Sequence, residues 1–184
     1  MTPDQLKQGI FALNTRRFGT VAEIMVKKLK GLGKAKNLWH DLFDSDEHKR
    51  IEVKFSRVGQ NLERLTEHNL LECILKEQGT DRRVQFATWQ QHQFLCNIQQ
   101  VKKTEFDGLY YGMFFDDCIK IFYIEPRDID SSIGYGDKQH KGNTGEGQFH
   151  ITEKNLQLHL DRHLVRTLTY TELLSLLQKN TVDK

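Results

Sequence analysis

The chain has 184 residues, a formal net charge of +2, 28% charged and 38% hydrophobic side chains. That balance predicts a soluble globular protein of about one domain, spanning 1–184, and excludes a low-complexity polymer. No apolar run approaches the ~20 residues a bilayer-spanning helix needs, and Met1-Thr-Pro-Asp lacks the basic and apolar regions of a secretory signal, so a cytoplasmic protein is expected.

Residues 20–31 predict an amphipathic helix. Val21, Ile24 and Leu29 recur near helical spacing, Thr20 is the candidate N-cap, and Gly31-Leu-Gly33 stops it. Residues 37–44 and 49–57 predict two strands, joined by the polar turn Ser45-Asp46-Glu47-His48. A two-residue loop at Asp46-Glu47 sets Asp41 opposite Glu52, with Lys54 on the same face. A longer loop and another register stay open, because the turn lacks Asn-Gly or Asp-Gly.

Residues 60–77 predict a helix carrying Leu62, Leu65, Leu70, Ile74 and Leu75, broken by Gly79. Short strands are expected near 84–89 and 92–97, and a short helix or turn at 99–106. Gly108–Phe115 and Cys118–Ile124 predict a core hairpin around Asp116-Asp117, since aromatic and β-branched residues dominate both runs. Pro126 ends it. A polar, glycine-rich loop at 131–148 precedes two helices, about 152–166 and 170–179, the second opened by the capping box Thr169-x-x-Glu172. The expected fold class is α/β of the mixed α+β kind: a central mixed sheet with hairpins, flanked by helices.

Cys73, Cys96 and Cys118 are widely spaced and read as buried or half-buried thiols. Trp39 and Trp89 are expected in the core or sheet. His159 and His163, four apart and outside any HExxH, read as a helix-face pair. Eleven of the basic residues, from Arg16 to Arg57, precede residue 58, a local excess that could steer a polyanion or form a solvated helix face.

Asp41 and Glu52 carry the chemistry of interest. Like charges directly opposite destabilise a hairpin unless a cation lies between them. Mg²⁺ takes oxygen ligands and needs only one or two carboxylates beside water and substrate phosphate. The Val53 carbonyl could add a backbone ligand, and Lys54 could hydrogen-bond an attacking water and offset transition-state charge. The alternative is a cross-strand salt bridge.

The segments His40-Asp41-Leu-Phe-Asp44 and Arg50-Ile-Glu52-Val-Lys54-Phe-Ser56 resemble the core signature of the PD-(D/E)xK nuclease superfamily, most closely its type II restriction endonucleases. His40 stands where the nominal proline of that signature falls. The resemblance implies a restriction-endonuclease-like fold over about 18–125. Asp41, Glu52 and Lys54 would be its catalytic residues, and Asp41, Glu52 and the Val53 carbonyl its metal ligands. Glu23, on the helix before the hairpin, is the further metal candidate. It also implies Mg²⁺ as cofactor, double-stranded DNA as substrate, cleavage at a short specific site, and a homodimer.

The loop and C-terminal helices, about 126–184, are expected to meet DNA through Lys138, Gln139, His140, Lys141, Asn143 and Gln148. Cations suit phosphates and amides suit base edges; an ordinary surface loop is the alternative. A repair or junction-resolving nuclease and a non-catalytic DNA-binding module are the competing functional readings.

Overall fold

The computed structural model describes residues 1–35, 39–61, 63–77, 82–138 and 145–179, with the side chains of 76 and 77 left aside. A first helix, α1 (Pro3–Ala12), was not expected from the sequence; Thr2 and Gln5 cap it reciprocally, with Pro3 in its first turn. The next helix, α2 (Thr15–Lys30), begins five residues before the predicted start. Asn14, not Thr20, is the cap, accepting the Arg17 N–H, while the Thr20 hydroxyl bonds back to the Arg16 carbonyl. Gly31 ends α2 in the left-handed conformation (φ 68°), as the glycine signal implied.

Two short strands, β1 (Gly33–Lys34) and β2 (Leu42–Asp44), lead into the long β3 (Lys49–Arg57). The predicted strand over 37–44 is therefore shorter, and its residues 37 and 38 lie outside the described set. The expected register holds, with Leu42 opposite Ile51 and Asp44 opposite Lys49. The connection is longer than two residues. Asp44 Oδ1 accepts the N–H groups of Asp46 and Glu47 at 3.0 and 3.1 Å, and His48 closes the turn at φ 55°.

Helix α3 (Leu70–Glu77) covers only the end of the predicted 60–77 span; Gly59 and Gln60 make isolated bridges to Arg83 and Phe94 instead. The predicted strand at 84–89 is a 3-10 turn, Phe86–Gln91, which buries Trp89. Strand β4 (Leu95–Val101) runs on through part of the segment expected as helix or turn. The core hairpin appears as β5 (Gly108–Phe114) and β6 (Ile119–Ile124). The supposed loop contains β7 (Tyr135–Gly136) and the start of β8 (Gly147–Thr152). Helix α4 (Leu156–His163) is shorter than predicted and passes directly into β9 (Leu164–Leu168). Helix α5 (Tyr170–Gln178) opens on the expected capping box.

The strands form a six-stranded mixed sheet, β1-β2-β3-β5-β6-β9, and a three-stranded sheet, β4-β8-β7. Within the larger sheet β3 and β5 are parallel, from Ile51 opposite Gly108 to Arg57 opposite Phe114; the other pairs are antiparallel. Side chains alternate across a strand, so each face has its own core. One face packs Ile51, Val53, Phe114, Ile119 and Ile121 against Phe18, Ala22, Met25 and Val26 of α2, with α1 and α5 alongside. The other packs Leu109, Tyr111, Met113 and Phe122 against Cys96, Ile98, Phe149 and Ile151 of the smaller sheet. A Cβ on Gly112 would collide with the Phe55 ring and the Lys120 carbonyl, so only glycine lets β3 and β6 close on β5 there.

Two polar clamps fix β3. Asp107, just before β5, accepts the Arg50 N–H at 2.8 Å and grips its guanidinium at 2.8 and 3.0 Å. That hydrogen-bonded guanidinium holds the Asp107 carboxyl down to about 2. At the far end Arg57 donates to the Phe11 and Leu13 carbonyls, both at 2.7 Å, anchoring the α1–α2 junction and hence the start of α2. All three cysteines are buried free thiols. Among the described residues no helix is long and apolar enough to cross a membrane.

Candidate functional site

The ladder between β2 and β3 stops at Leu42 and Ile51. Beyond it the strands fork, and β3 continues with one edge open. Asp41 stands at the fork. Its Oδ2 accepts the Val53 N–H at 2.9 Å, replacing a lost ladder bond with a carboxylate. The N–H and C=O of one strand residue leave on the same side, so the Val53 carbonyl faces the Asp41 edge too.

Ile51 and Val53 are buried against α2, so Glu52 and Lys54 point to the other face, toward β4. Lys54 Nζ pairs with Glu52 Oε1 and lies 3.8 Å from Asp41 Oδ2. The three side chains are 23%, 12% and 25% exposed for Asp41, Glu52 and Lys54, sheltered yet open to a small ligand. The structure thus brings together the three residues expected to act together.

Burial pushes the Glu52 carboxyl up; Lys54 opposes that rise and Asp41 adds to it. Burial works against the Lys54 ammonium, but Glu52 and Asp41 more than offset it, so its net shift is upward. Glu23, on α2, belongs to the same electrostatic group: burial raises its carboxyl, Asp41 raises it further, and Lys54 and Lys34 draw it down. An excess of sheltered acid around one lysine is a setting that favours a further cation.

Among the described residues no group of three or more His, Cys, Asp or Glu side chains is placed to hold a metal ion. What the fork offers is two carboxylates and a carbonyl, all hard oxygen donors. That set fits Mg²⁺, which keeps much of its water.

The acids line a cleft of about 230 Å³ together with Trp39, His40, Gln100 and Glu146. Lys54 and Gln100 also line a second, larger hollow of about 570 Å³, which continues along the open edge of β3 to Arg16 at the start of α2 and to Gln99. Gln100 adopts φ 59° where β4 bulges between Ile98 and Val101. Sequence reasoning missed it, because only the register slip shows which side chain the bulge redirects. It also misplaced Trp39, expected in the core or sheet, which is 66% exposed at the mouth of the cleft.

The loop residues scatter. Lys138 lines a separate hollow with Lys103 and Tyr135. Gln148 is buried on β8, opposite Gly136. Gln139, His140, Lys141 and Asn143 lie outside the described residues. Glu146, near the end of that loop, does reach the acid cleft. Of the basic stretch, Lys49, Arg50, Lys54 and Arg57 are committed to partners within the fold, and Lys36 lies outside the described residues.

His159 and His163 both lie on α4 with ring centroids 6.2 Å apart, and His159 is fully buried. The His159 Nδ1 meets the Tyr111 hydroxyl at 2.8 Å, and burial, then His163, push its pKa down to about 4. Compared with family models and with curated proteins, the chain matches neither.

Proposed function

We propose that this protein is a Mg²⁺-dependent endonuclease that hydrolyses phosphodiester bonds in double-stranded DNA, of the PD-(D/E)xK kind and closest to type II restriction enzymes. The observation that carries the reading is the fork. A backbone N–H locks Asp41 beside Glu52, with Lys54 reaching both at the open edge of a cleft. Asp41, Glu52 and the Val53 carbonyl would hold the cation, and Glu23 would support it through the field it shares with Asp41. Mg²⁺, once bound, supplies positive charge against the phosphate and acidifies a water. Lys54 donates a hydrogen bond to a non-bridging phosphate oxygen or to the attacking water, where charge grows as the new P–O bond forms and the ester P–O bond breaks.

Cutting both strands of a symmetric site calls for two centres related by a two-fold axis, so the working form is a homodimer, acting on DNA in the cytoplasm. Lys138, Gln139, His140, Lys141 and Asn143 are the proposed further contacts to DNA. A nuclease acting on distorted or branched DNA is the second reading, favoured by the exposed Trp39.

The test is cleavage of a mixed-sequence plasmid with Mg²⁺, followed by sequencing of the ends. Discrete fragments support site-specific cutting, and a smear supports the second reading. Asp41→Asn keeps an acceptor for the Val53 N–H but loses the charge. It should fold normally and lose cleavage by about a hundredfold or more. Full activity in Asp41→Asn would remove Asp41 from the metal site.

A further inference from the structure

Trp39 is the only Phe or Trp among the exposed large hydrophobic side chains of the described residues. Trp89, the other tryptophan in the chain, is 7% exposed in a core cluster. Leaving an indole in water forgoes the burial of some ~150–250 Å² that aromatic side chains usually gain. The next residue, His40, is only 8% exposed, so the outward turn of Trp39 is local. Its neighbourhood is also unusual for an aromatic ring. The cleft it lines is otherwise polar, built from Asp41, Glu52, Lys54, Lys102, Glu105 and Glu146.

An apolar ring over a charged cleft calls for a ligand with a charged part and a flat apolar part. A nucleotide has both. Two residues of extended chain span at most about 7 Å, so a ligand whose phosphate lies at Asp41 has its own or the next base within reach of Trp39. Every base presents a π-face, which aromatic side chains recognise without regard to sequence. In a paired duplex both faces are covered by neighbouring bases, so a protein ring gains access only to an unpaired or extruded nucleotide.

We propose that Trp39 stacks on an unpaired base of the strand whose phosphate lies against Asp41, Glu52 and Lys54, so that the cleft accepts single-stranded or locally unstacked DNA. This rests on the second nuclease reading above, the one for distorted or branched DNA, and narrows its substrate. Lys54 and Gln100, shared by both hollows, then mark where the strand passes toward Arg16.

The chain's two tryptophans make the test direct. The full-length protein, with Ca²⁺ in place of Mg²⁺, is titrated with short oligo(dT), and its tryptophan emission is followed. Stacking quenches the solvent-exposed indole, so emission falls to a plateau with oligo(dT), while a relaxed, covalently closed circular duplex, which has neither ends nor loops, leaves it unchanged. Binding of fluorescein-labelled oligo(dT) by Trp39→Ala, followed by anisotropy, should weaken on the order of tenfold. Trp39→Phe should retain most of the affinity, which separates lost stacking from a damaged fold. Equal quenching by duplex and single strand, no quenching by oligo(dT), or undiminished binding by Trp39→Ala would each overturn the proposal. These readouts need no cleavage. Quenching without cleavage in Mg²⁺ would keep the stacking and sink the nuclease, and cleavage without quenching would do the reverse.

Discussion

Gln100 pays for its position. An L-residue in the left-handed region costs about 1–2 kcal/mol, and here it sits on a bulge facing both hollows. Glycine would adopt that conformation freely, offset by about 0.4–1 kcal/mol of extra unfolded-chain entropy. Gln100→Gly should therefore melt no lower than Gln100→Ala, which loses the same side chain but keeps the strain, while cleavage falls severalfold in both. A lower melting temperature for the glycine variant, or unchanged cleavage, would show that the bulge serves packing alone. Residue-scale legibility was uneven. Asp41, Glu52 and Lys54 were readable because strand alternation and hairpin register follow from sequence spacing alone. Gln100 and Trp39 were not, since a bulge and an outward-turned ring depend on what the neighbouring strand and loop leave uncovered.

At the scale of elements, the segments that matched were those with local causes: β3 and the β5–β6 hairpin with their β-rich runs, and α5 with its capping box. The misses have tertiary causes. Leu164–Leu168 continues the apolar run of α4, yet it pairs with β6 and becomes the edge strand β9. The pattern 84–89 alternates like a strand, but Asp117 accepts the N–H groups of Phe86 and Ala87 and folds them into a turn. Helix α4 also carries a pH dependence. His159 stays neutral in the fold down to about pH 4, because burial penalises its cation. In the unfolded chain it protonates near 6.5. Between those values the unfolded state binds the extra proton, so stability falls as pH drops, by about 1.4 kcal/mol per pH unit. His159→Gln should flatten the melting-temperature profile between pH 6.5 and 4, as read by thermal unfolding; an unaltered slope would assign the acid sensitivity elsewhere.

For the whole molecule, the mixed sheet flanked by helices was legible because hairpins and helices alternate without a strict βαβ rhythm. The second sheet was not. Strand β7 and the start of β8 come from the segment expected as loop, β4 runs past the short strand expected at 92–97, and the three pair with one another over the face of Tyr111 and Phe122. That sheet supplies the far wall of the cleft, while the larger sheet supplies its floor at the fork between β2 and β3. The fork has one more consequence. Because the Asp41 carboxylate closes the strand's hydrogen bond, the Val53 amide is wired to whatever charge binds Asp41. In a nitrogen–proton correlation spectrum its resonance should move on Mg²⁺ addition ahead of amides elsewhere on β3, and in Asp41→Asn it should stay still. That shift would report cation binding at the fork without substrate and without turnover.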